Sequence, residues 1–550
     1  MKKIIECVPN FSEGRDLNII KQITDAIESV DGIKLLNVDP GKATNRTVVT
    51  FVGDENEVVE AAYRAIAKAA ELIDMSKHKG EHPRFGATDV CPFIPIANAT
   101  MDDCIACAKE LGEKVGNLLH IPVYLYEYAA SAIHRKNLAS VRGGEYEGIT
   151  QKIKLPEWKP DFGPALFNEK NGNIAIGARD FLVAYNVNLN TTSVRRANSV
   201  AFDVREAGRK VKNEKGEEVH QPGACKSVKG IGWFIAEYGV AQVSMNLTNI
   251  NITPVHIAFD ECVKSAYNRG MRVTGSELIG LMPLKSILDA GKYFLEKQQR
   301  STGVSEDELI KIAVKSMGLD ELVPFDPSKR IIEYMLRDAN ASPLVSMSLK
   351  KFADETASES PAPGGGSIAA YLGTLGISLG TMVANLSSHK SGWDRRWKEF
   401  SDWAEKGQAI KDKLVNLVDE DTRAFNKIMD AFGLPKTSDA EKTVRKQAIQ
   451  QATRYAIEIP LQVMQISLAS FEVIKAMAET GNPNSVSDAG VGALCARSAV
   501  YGAYLNVKIN ATGYDDKAYV EQTMKSSNEM LTKALELEKQ ILEIVIGKIG

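Results

Sequence analysis

The run His78-Lys-Gly-Glu-His-Pro-Arg-Phe-Gly-Ala-Thr-Asp89, continuing into Val90-Cys-Pro-Phe-Ile-Pro95, gathers groups that move protons and hold anions. Two of the chain's seven histidines, His78 and His82, stand four residues apart, with Glu81 and Arg84 beside them. An imidazole exchanges a proton near neutral pH. Glycines and prolines confine the backbone path that carries it. A stiff loop holding an imidazole between a carboxylate and a guanidinium suits acid–base work on an anionic substrate. The competing reading is a histidine that only orders its own turn.

Other stretches offer partners for that loop. Asp39, in Asn37-Val-Asp-Pro-Gly41, either orients an imidazole or shapes the turn before its proline. Arg46 and Arg84 are candidates to clamp carboxylates through a planar fork of donors, or form surface ion pairs. His78 is a helper to His82 or a charge at a helix C-terminus. Further along, Pro361-Ala-Pro-Gly-Gly-Gly-Ser367 opens a long apolar run. Exposed N–H groups at such a helix start attract anions, and a flexible linker is the alternative. Asp419 and Asp421 lie two apart on a predicted helix, so they point to different faces. Ser487 or Asp488 is placed to cap the following helix or to touch substrate, capping being the favoured reading. Asn506 and Asn510, one turn apart, are polar groups for the inside of a bundle.

The elements that position these groups follow from periodicity. Strands are predicted at Lys3–Val8, Ile33–Val38, Thr47–Val52, Cys91–Ile96 and Val123–Tyr126. Helices are predicted at Leu17–Val30, Glu55–Ile73 and Thr100–Leu119, the last with Thr100 and Asp103 as a cap pair. The opening order is β-α-β-β-α-β, as in ferredoxin-like sheets. From Phe181 the pattern repeats without sequence likeness. It gives a strand at Phe181–Leu189, a helix at Ser193–Lys210, a hairpin at Cys225–Ile235 and Val240–Asn246, a helix at His256–Arg269 and a strand at Arg272–Ile279. Short helices at Ser305–Met317 and Ile331–Arg337 precede a polar join, Asp338–Pro343. Long helices then follow at Leu349–Ala357, Ser367–Ser387, Trp393–Phe432, Ala440–Glu479, Ser487–Asn510 and Ala518–Ile549. Pro460 is expected to kink or break the fourth of them. The expected fold is two α/β subdomains of βαββαβ type, 1–180 and 181–326, a linker 327–345 and an all-α bundle 346–550.

A chain of 550 residues exceeds one core. Its net charge of −3 gives no case for nucleic acid or membrane-surface binding. Seven scattered cysteines argue against a disulfide framework. Cys104 and Cys107 continue an apolar helical stripe through Leu111, Val115 and Leu118, and no second pair completes a zinc site. The twenty uncharged residues Ser367–Leu386 could span a bilayer by length. Their glycines, serines and threonines favour a buried bundle helix. The expected location is the cytoplasm.

Three strings, Glu6-Cys-Val-Pro-Asn-Phe-Ser-Glu-Gly14, Thr44-Asn-Arg-Thr47 and His78 to Pro95, together resemble the formimidoyltransferase-cyclodeaminase family. These are bifunctional folate enzymes of histidine breakdown. The resemblance runs along essentially the whole chain, because a second set of motifs recurs after residue 350. It implies transfer of a formimino group from N-formimino-L-glutamate to tetrahydrofolate by the first part. It implies closure of the 5-formimino product to 5,10-methenyl-tetrahydrofolate, with release of ammonia, by the second.

The family's catalytic histidine falls on His82 and its catalytic aspartate on Asp421. Its folate-contacting segment falls on Gly163 to Gly172, including Pro164, where Phe162 and Phe167 are placed to stack a pterin. The string Gly364, Gly365, Gly366 and Ser367 matches the cyclodeaminase half. The resemblance further implies polyglutamylated tetrahydrofolate as co-substrate, no metal, and homo-oligomers with contacts through the helical part. The helical half is also similar to stand-alone methenyl-tetrahydrofolate cyclohydrolases. A folate-binding scaffold without chemistry is the non-enzymatic alternative.

Overall fold

The computed structural model describes residues 3–41, 45–79, 84–212, 216–336 and 343–550. His82 and Glu81, Thr44, Arg337 at the end of a predicted helix, and Asp338 to Ser342 of the polar join lie outside the described residues. The chain forms two compact units. One is Met1–Ser286 with Met317–Leu336; the other is Ile287–Ser316 with Arg337–Gly550.

The first unit opens with strands β1 (Ile4–Cys7), β2 (Asn10–Phe11), β3 (Lys34–Gly41), β4 (Arg46–Gly53), β5 (Thr88–Ala97), β6 (Val123–Glu127) and β7 (Ile174–Ala178). They form one seven-stranded sheet. β3 pairs with β4, while β1 and β2 share the place between β4 and β5. This is the strand order of the predicted βαββαβ unit. β7 and then β6 extend it, running parallel to β5.

Helices Leu17–Glu28, Glu55–Leu72 and Met101–Leu118 bury apolar stripes in the core that holds Ile5, Cys7, Phe51 and Phe93. Their starts are set locally. Thr100 and Asp103 form the predicted capping box, and Asp54 and Glu57 form another. Cys104 and Cys107 are buried thiols of the third helix, and burial pushes both up.

The second sheet is four-stranded and antiparallel. Its strands are β8 (Val183–Leu189), β11 (Val228–Ile235), β12 (Val240–Leu247) and β13 (Val273–Ile279), in the order β11-β12-β8-β13. That order matches the core of the first sheet, so the repeat of pattern is a repeat of topology. Between them, β9 (Arg209–Lys212) pairs with β10 (Glu218–Gln221). The helix expected over Ser193–Lys210 therefore ends early, at Val204. The reason lies at Gly208, where φ is +49° and a Cβ would fall 1.9 Å from the Gln221 carbonyl oxygen. The chain turns there to meet β10 instead of continuing the helix.

The second unit is helical, built on Gly365–Ser388, Trp397–Gly433, Asp439–Thr480, Val486–Ala511 and Lys517–Ile549. Small residues bring its helices close. A Cβ at Gly376 would lie 2.8 Å from the Gly492 carbonyl oxygen, and one at Gly373 would lie 2.5 Å from Ser467 Oγ. The uncharged run is thus a packed bundle helix. Among the described residues, two helices, Gly365–Ser388 and Asp439–Thr480, are long and apolar enough to cross a membrane by length and composition.

Pro460 does not break its helix, which runs continuously from Asp439 to Thr480. The proline is buried among Ile457, Ile459, Val463 and Met464. That packing offsets the roughly 3 kcal/mol a mid-helix proline costs. Ser485, not Ser487 or Asp488, holds the N-cap position of Val486–Ala511.

The units also divide differently from the predicted boundary at 326. Residues 287–316 belong with the bundle. The Gly303 carbonyl accepts from Asn385 Nδ2 at 2.9 Å and Gln408 Nε2 at 3.1 Å, and Thr302 Oγ1 donates to Glu405 at 2.8 Å. A Cβ at Gly303 would lie 2.4 Å from Ala404, so only glycine lets this turn sit on the helix.

Candidate active sites

The three strings of the first unit meet at Arg46. Arg46 opens β4, and its Nε and Nη2 donate to Asn10 Oδ1 at 3.0 and 2.7 Å. Its Nη2 also lies 3.1 Å from Asp89 Oδ2. Asp89, 1% exposed on β5, receives Arg142 as well, whose Nε donates to Oδ1 at 3.1 Å and whose Nη2 donates to Oδ2. Two guanidiniums thus share one buried carboxylate. Burial lowers the pKa of Arg46, Asp89 opposes that, and the like charge of Arg142 adds to it.

Arg179, just beyond β7, donates to the Asp180 carbonyl at 2.9 Å. Tyr126 of β6 stands in the field of both Arg142 and Arg179, and burial pushes its hydroxyl up. These residues line a cleft of about 810 Å³ whose other wall includes Lys229, Thr248 and Asn249. Glu6, on β1, is buried. Alternation puts it on the sheet face opposite the core residues Ile5 and Cys7. Burial raises its carboxyl to about 7, against the pull of Arg179.

The remaining predicted residues of this unit have other surroundings. His78 is buried, with Nε2 2.8 Å from the Asn45 carbonyl oxygen. Asn45, at φ +48°, accepts from Gly14 N–H at 3.0 Å and donates to the Lys79 carbonyl at 3.0 Å. His78 therefore ties the turn that ends at Lys79 to the turn at Asn45. Arg84 donates to the carbonyls of Met75 and His78, pairs with Glu147, and lies 4.8 Å above the Tyr146 ring. It works as a brace and is not among the cleft-lining residues. Asp39 is exposed on β3, opposite Val48.

The segment from Gly163 through Pro164 to Gly172 is held tightly. Gly163 has φ +80°, and a Cβ there would lie 2.5 Å from the Ile121 carbonyl oxygen. Gly172 has φ +65° and would meet the Phe85 carbonyl at 2.4 Å. Asp161 accepts from Leu125 N–H at 2.7 Å and Arg135 Nη1 at 3.0 Å. Phe162 packs on Gly112 and Gly116 of a core helix, and Phe167 lies 5.4 Å from the Tyr146 ring. Both rings expected to stack a pterin are thus engaged by protein.

In the helical unit, Asp421 and Ser367 meet. Ser367 N–H donates to Asp421 Oδ2 at 2.9 Å, and its hydroxyl lies 3.2 Å from the same oxygen and 2.8 Å from the Val418 carbonyl oxygen. Gly366 has no room for a side chain, since a Cβ would fall 2.1 Å from Asp421 Oδ1. At Gly365 a Cβ would be 3.3 Å from Asn506 Nδ2. Gly364 is the N-cap.

The glycine string thus seats a carboxylate from a neighbouring helix on a helix start, where N–H groups point outward. Burial raises the Asp421 carboxyl while the Ser367 bonds lower it, and burial dominates. Asp419 takes the other face, as its spacing predicts. It is buried and accepts from Leu344 N–H at 2.8 Å and Val345 N–H at 3.3 Å. Asn510 donates to the Ala456 carbonyl at 2.7 Å.

Arg142, Arg179, Tyr126 and Glu6 were not predicted as site residues. Arg142 precedes a Gly143-Gly144 turn and Arg179 follows a buried strand. Those were the available signals, and neither is distinctive.

Three family models match the chain in succession. Residues 4–179 match the formiminotransferase domain, N-terminal subdomain; residues 184–337 match the formiminotransferase domain; and residues 348–529 match formiminotransferase-cyclodeaminase. The chain is 44% identical to formimidoyltransferase-cyclodeaminase of Dictyostelium discoideum over 550 residues, all of both chains. It is 43% identical to glutamate formimidoyltransferase of Thermoplasma acidophilum over 53% of this chain and 92% of that one. It is 36% identical to methenyltetrahydrofolate cyclohydrolase of Methylorubrum extorquens over 37% of this chain and 97% of that one. Two units with separate candidate sites, matched end to end by a bifunctional relative, mean that this chain belongs to the formimidoyltransferase-cyclodeaminase family of bifunctional folate enzymes.

Proposed function

We propose that the chain catalyses two consecutive steps of histidine-derived one-carbon metabolism in the cytoplasm, the first through His82 and the second through Asp421. In the first step, N5 of tetrahydrofolate attacks the formimino carbon of N-formimino-L-glutamate. The bond from that carbon to the glutamate nitrogen breaks, and His82 passes a proton to the departing nitrogen. In the second step, N10 attacks the same carbon, ammonia leaves, and 5,10-methenyl-tetrahydrofolate forms. A carboxyl raised by burial, as at Asp421, exchanges protons nearer working pH than an exposed one. The whole-length match to the bifunctional relative carries this reading.

The finer assignments extend it. Arg46 is a ligand of the substrate carboxylates. The segment Gly163, Pro164 to Gly172 contacts folate through its backbone, since its phenyl rings are engaged elsewhere. Asp39 orients His82, and Gly364, Gly365, Gly366 and Ser367 hold Asp421 against the folate intermediate. Tetrahydrofolate enters in polyglutamylated form, and no metal takes part.

The protein acts as a homo-oligomer through its helical unit, without a membrane span. Support comes from exposed apolar side chains at helical spacing on two neighbouring helices. They are Leu375, Met382 and Leu386 on one, and Val491, Leu494, Tyr501, Leu505 and Ile509 on the other.

The test follows methenyl-folate absorbance and ammonia release from N-formimino-L-glutamate and tetrahydrofolate. Wild type yields both products. His82→Ala loses transfer by about 10²-fold or more, and Asp421→Ala accumulates 5-formimino-tetrahydrofolate. Hydrolysis of methenyl-folate without ammonia release would instead favour a cyclohydrolase.

A further inference from the structure

Arg46, Arg142 and Arg179 reach the cleft from three separate stretches of chain. They come from the start of β4, the end of the short helix Leu138–Arg142 and the residue after β7. Arg142 spends Nε and Nη2 on Asp89, and Arg179 spends one bond on the Asp180 carbonyl. A guanidinium carries five N–H donors. Both residues therefore keep donors without a protein acceptor among the described residues.

Glu6 and Glu127 lie in the field of Arg179, but no acid among the described residues forms an ion pair with it. Asp180 already accepts from Tyr128 at 2.9 Å and Asn249 at 2.6 Å. Asp89 is already paired with two arginines. Lys152 fixes the wall that presents Arg142. Its ammonium donates to the carbonyls of Ser140, Val141 and Gly143 at 2.8, 2.8 and 2.9 Å, closing the end of that helix. Several planar forks converging on one wall match a ligand with more than one carboxylate.

From this arrangement we infer that Arg46, Arg142 and Arg179 form the clamp for the two carboxylates of N-formimino-L-glutamate, and that Arg84 has no part in it. The inference rests on reading the first unit as a formimidoyltransferase. Folate also ends in a glutamyl group. The clamp is assigned to the donor because Asp89, which holds Arg46 and Arg142, lies on the same string as His82, the group that serves the departing glutamate nitrogen.

The experiment is steady-state transfer by the full chain with each substrate varied in turn, for Arg142→Lys and Arg179→Lys. Lysine keeps the charge and loses the fork. KM for N-formimino-L-glutamate rises about tenfold or more, while KM for tetrahydrofolate stays within about twofold. Denaturant melts of the same preparations, compared with wild type, report that the first unit is folded.

A rise in the folate KM instead would place the folate tail in the clamp and overturn the assignment. So would a fall in kcat with both KM values unchanged. Calorimetric binding of L-glutamate separates this inference from the reading beneath it. A wild type that transfers nothing, yet binds L-glutamate through Arg142 and Arg179, would sink the transferase reading and leave the dicarboxylate clamp. Active transfer with L-glutamate binding indifferent to both arginines would sink the clamp alone.

Discussion

Buried carboxylates decide the electrostatics of both units, and each is held by a different means. Asp89 is paired with two arginines, Asp421 sits on a helix start, and Glu6 lies in the field of Arg179. Glu6 therefore has the largest consequence for pH. Its proton leaves near 7 in the folded state, against 4.5 when unperturbed. Between those values the folded state holds more protons than the unfolded state, so stability falls as pH rises through that window. The loss is complete above the folded value and amounts to on the order of 3 kcal/mol at most. Glu6→Gln removes it. Denaturant melts are expected to show the variant stabilised at about pH 8 and nearly level with wild type at about pH 5. An equal difference at both pH values would mean that Glu6 does not titrate in this window.

Elements position these groups through backbone that tolerates close approach. The glycine run before Ser367 is both the start of a helix and the seat of Asp421. Gly366→Ala drives a methyl into the carboxylate. The side chain has to rotate away, because the backbones of both helices are packed on either side. Loss of cyclisation is expected with transfer intact and the far-ultraviolet spectrum unchanged. A variant that cyclises at the wild-type rate would dissociate Asp421's position from catalysis. In the first unit, the corresponding device is the set of turns around His78, Asn45 and Gly14. Their bonds join Gly14, Asn45, His78 and Lys79, which come from three separate stretches of chain.

At the scale of the whole molecule, apolar surface remains on the bundle after its core is filled. Leu505 and Ile509 are 52% and 67% exposed. Exposed apolar patches of this kind mark association sites in many proteins. Leu505→Asp combined with Ile509→Asp is expected to lower the particle mass by light scattering and to leave the bundle folded. A monomeric wild type would remove the basis for this expectation. The division of the chain also bears on any attempt to separate the activities. A fragment beginning at residue 346 would lack the turn at Thr302 and Gly303 that bonds to Ser401, Glu405 and Gln408.

Local patterns determined most of the elements. Period-two strands, period-3.6 helices and short-range caps such as Thr100 with Asp103 depend on neighbours a few residues away, so they were legible in the chain itself. The same holds for the family motifs and for the opposite faces taken by Asp419 and Asp421. What tertiary structure decided was everything set by distant partners. Arg46 and Arg84 looked alike as candidate clamps, and only folding placed one in the cleft and spent the other on Glu147. Arg142 and Arg179 stand far along the chain from Asp89 and Arg46, and no local pattern joins them. Pro460 continues its helix because buried packing outweighs a local preference. Residues 287–316 join the bundle through a glycine whose need arises only against Ala404. Such outcomes depend on contacts between segments, and those exist only once the chain has folded.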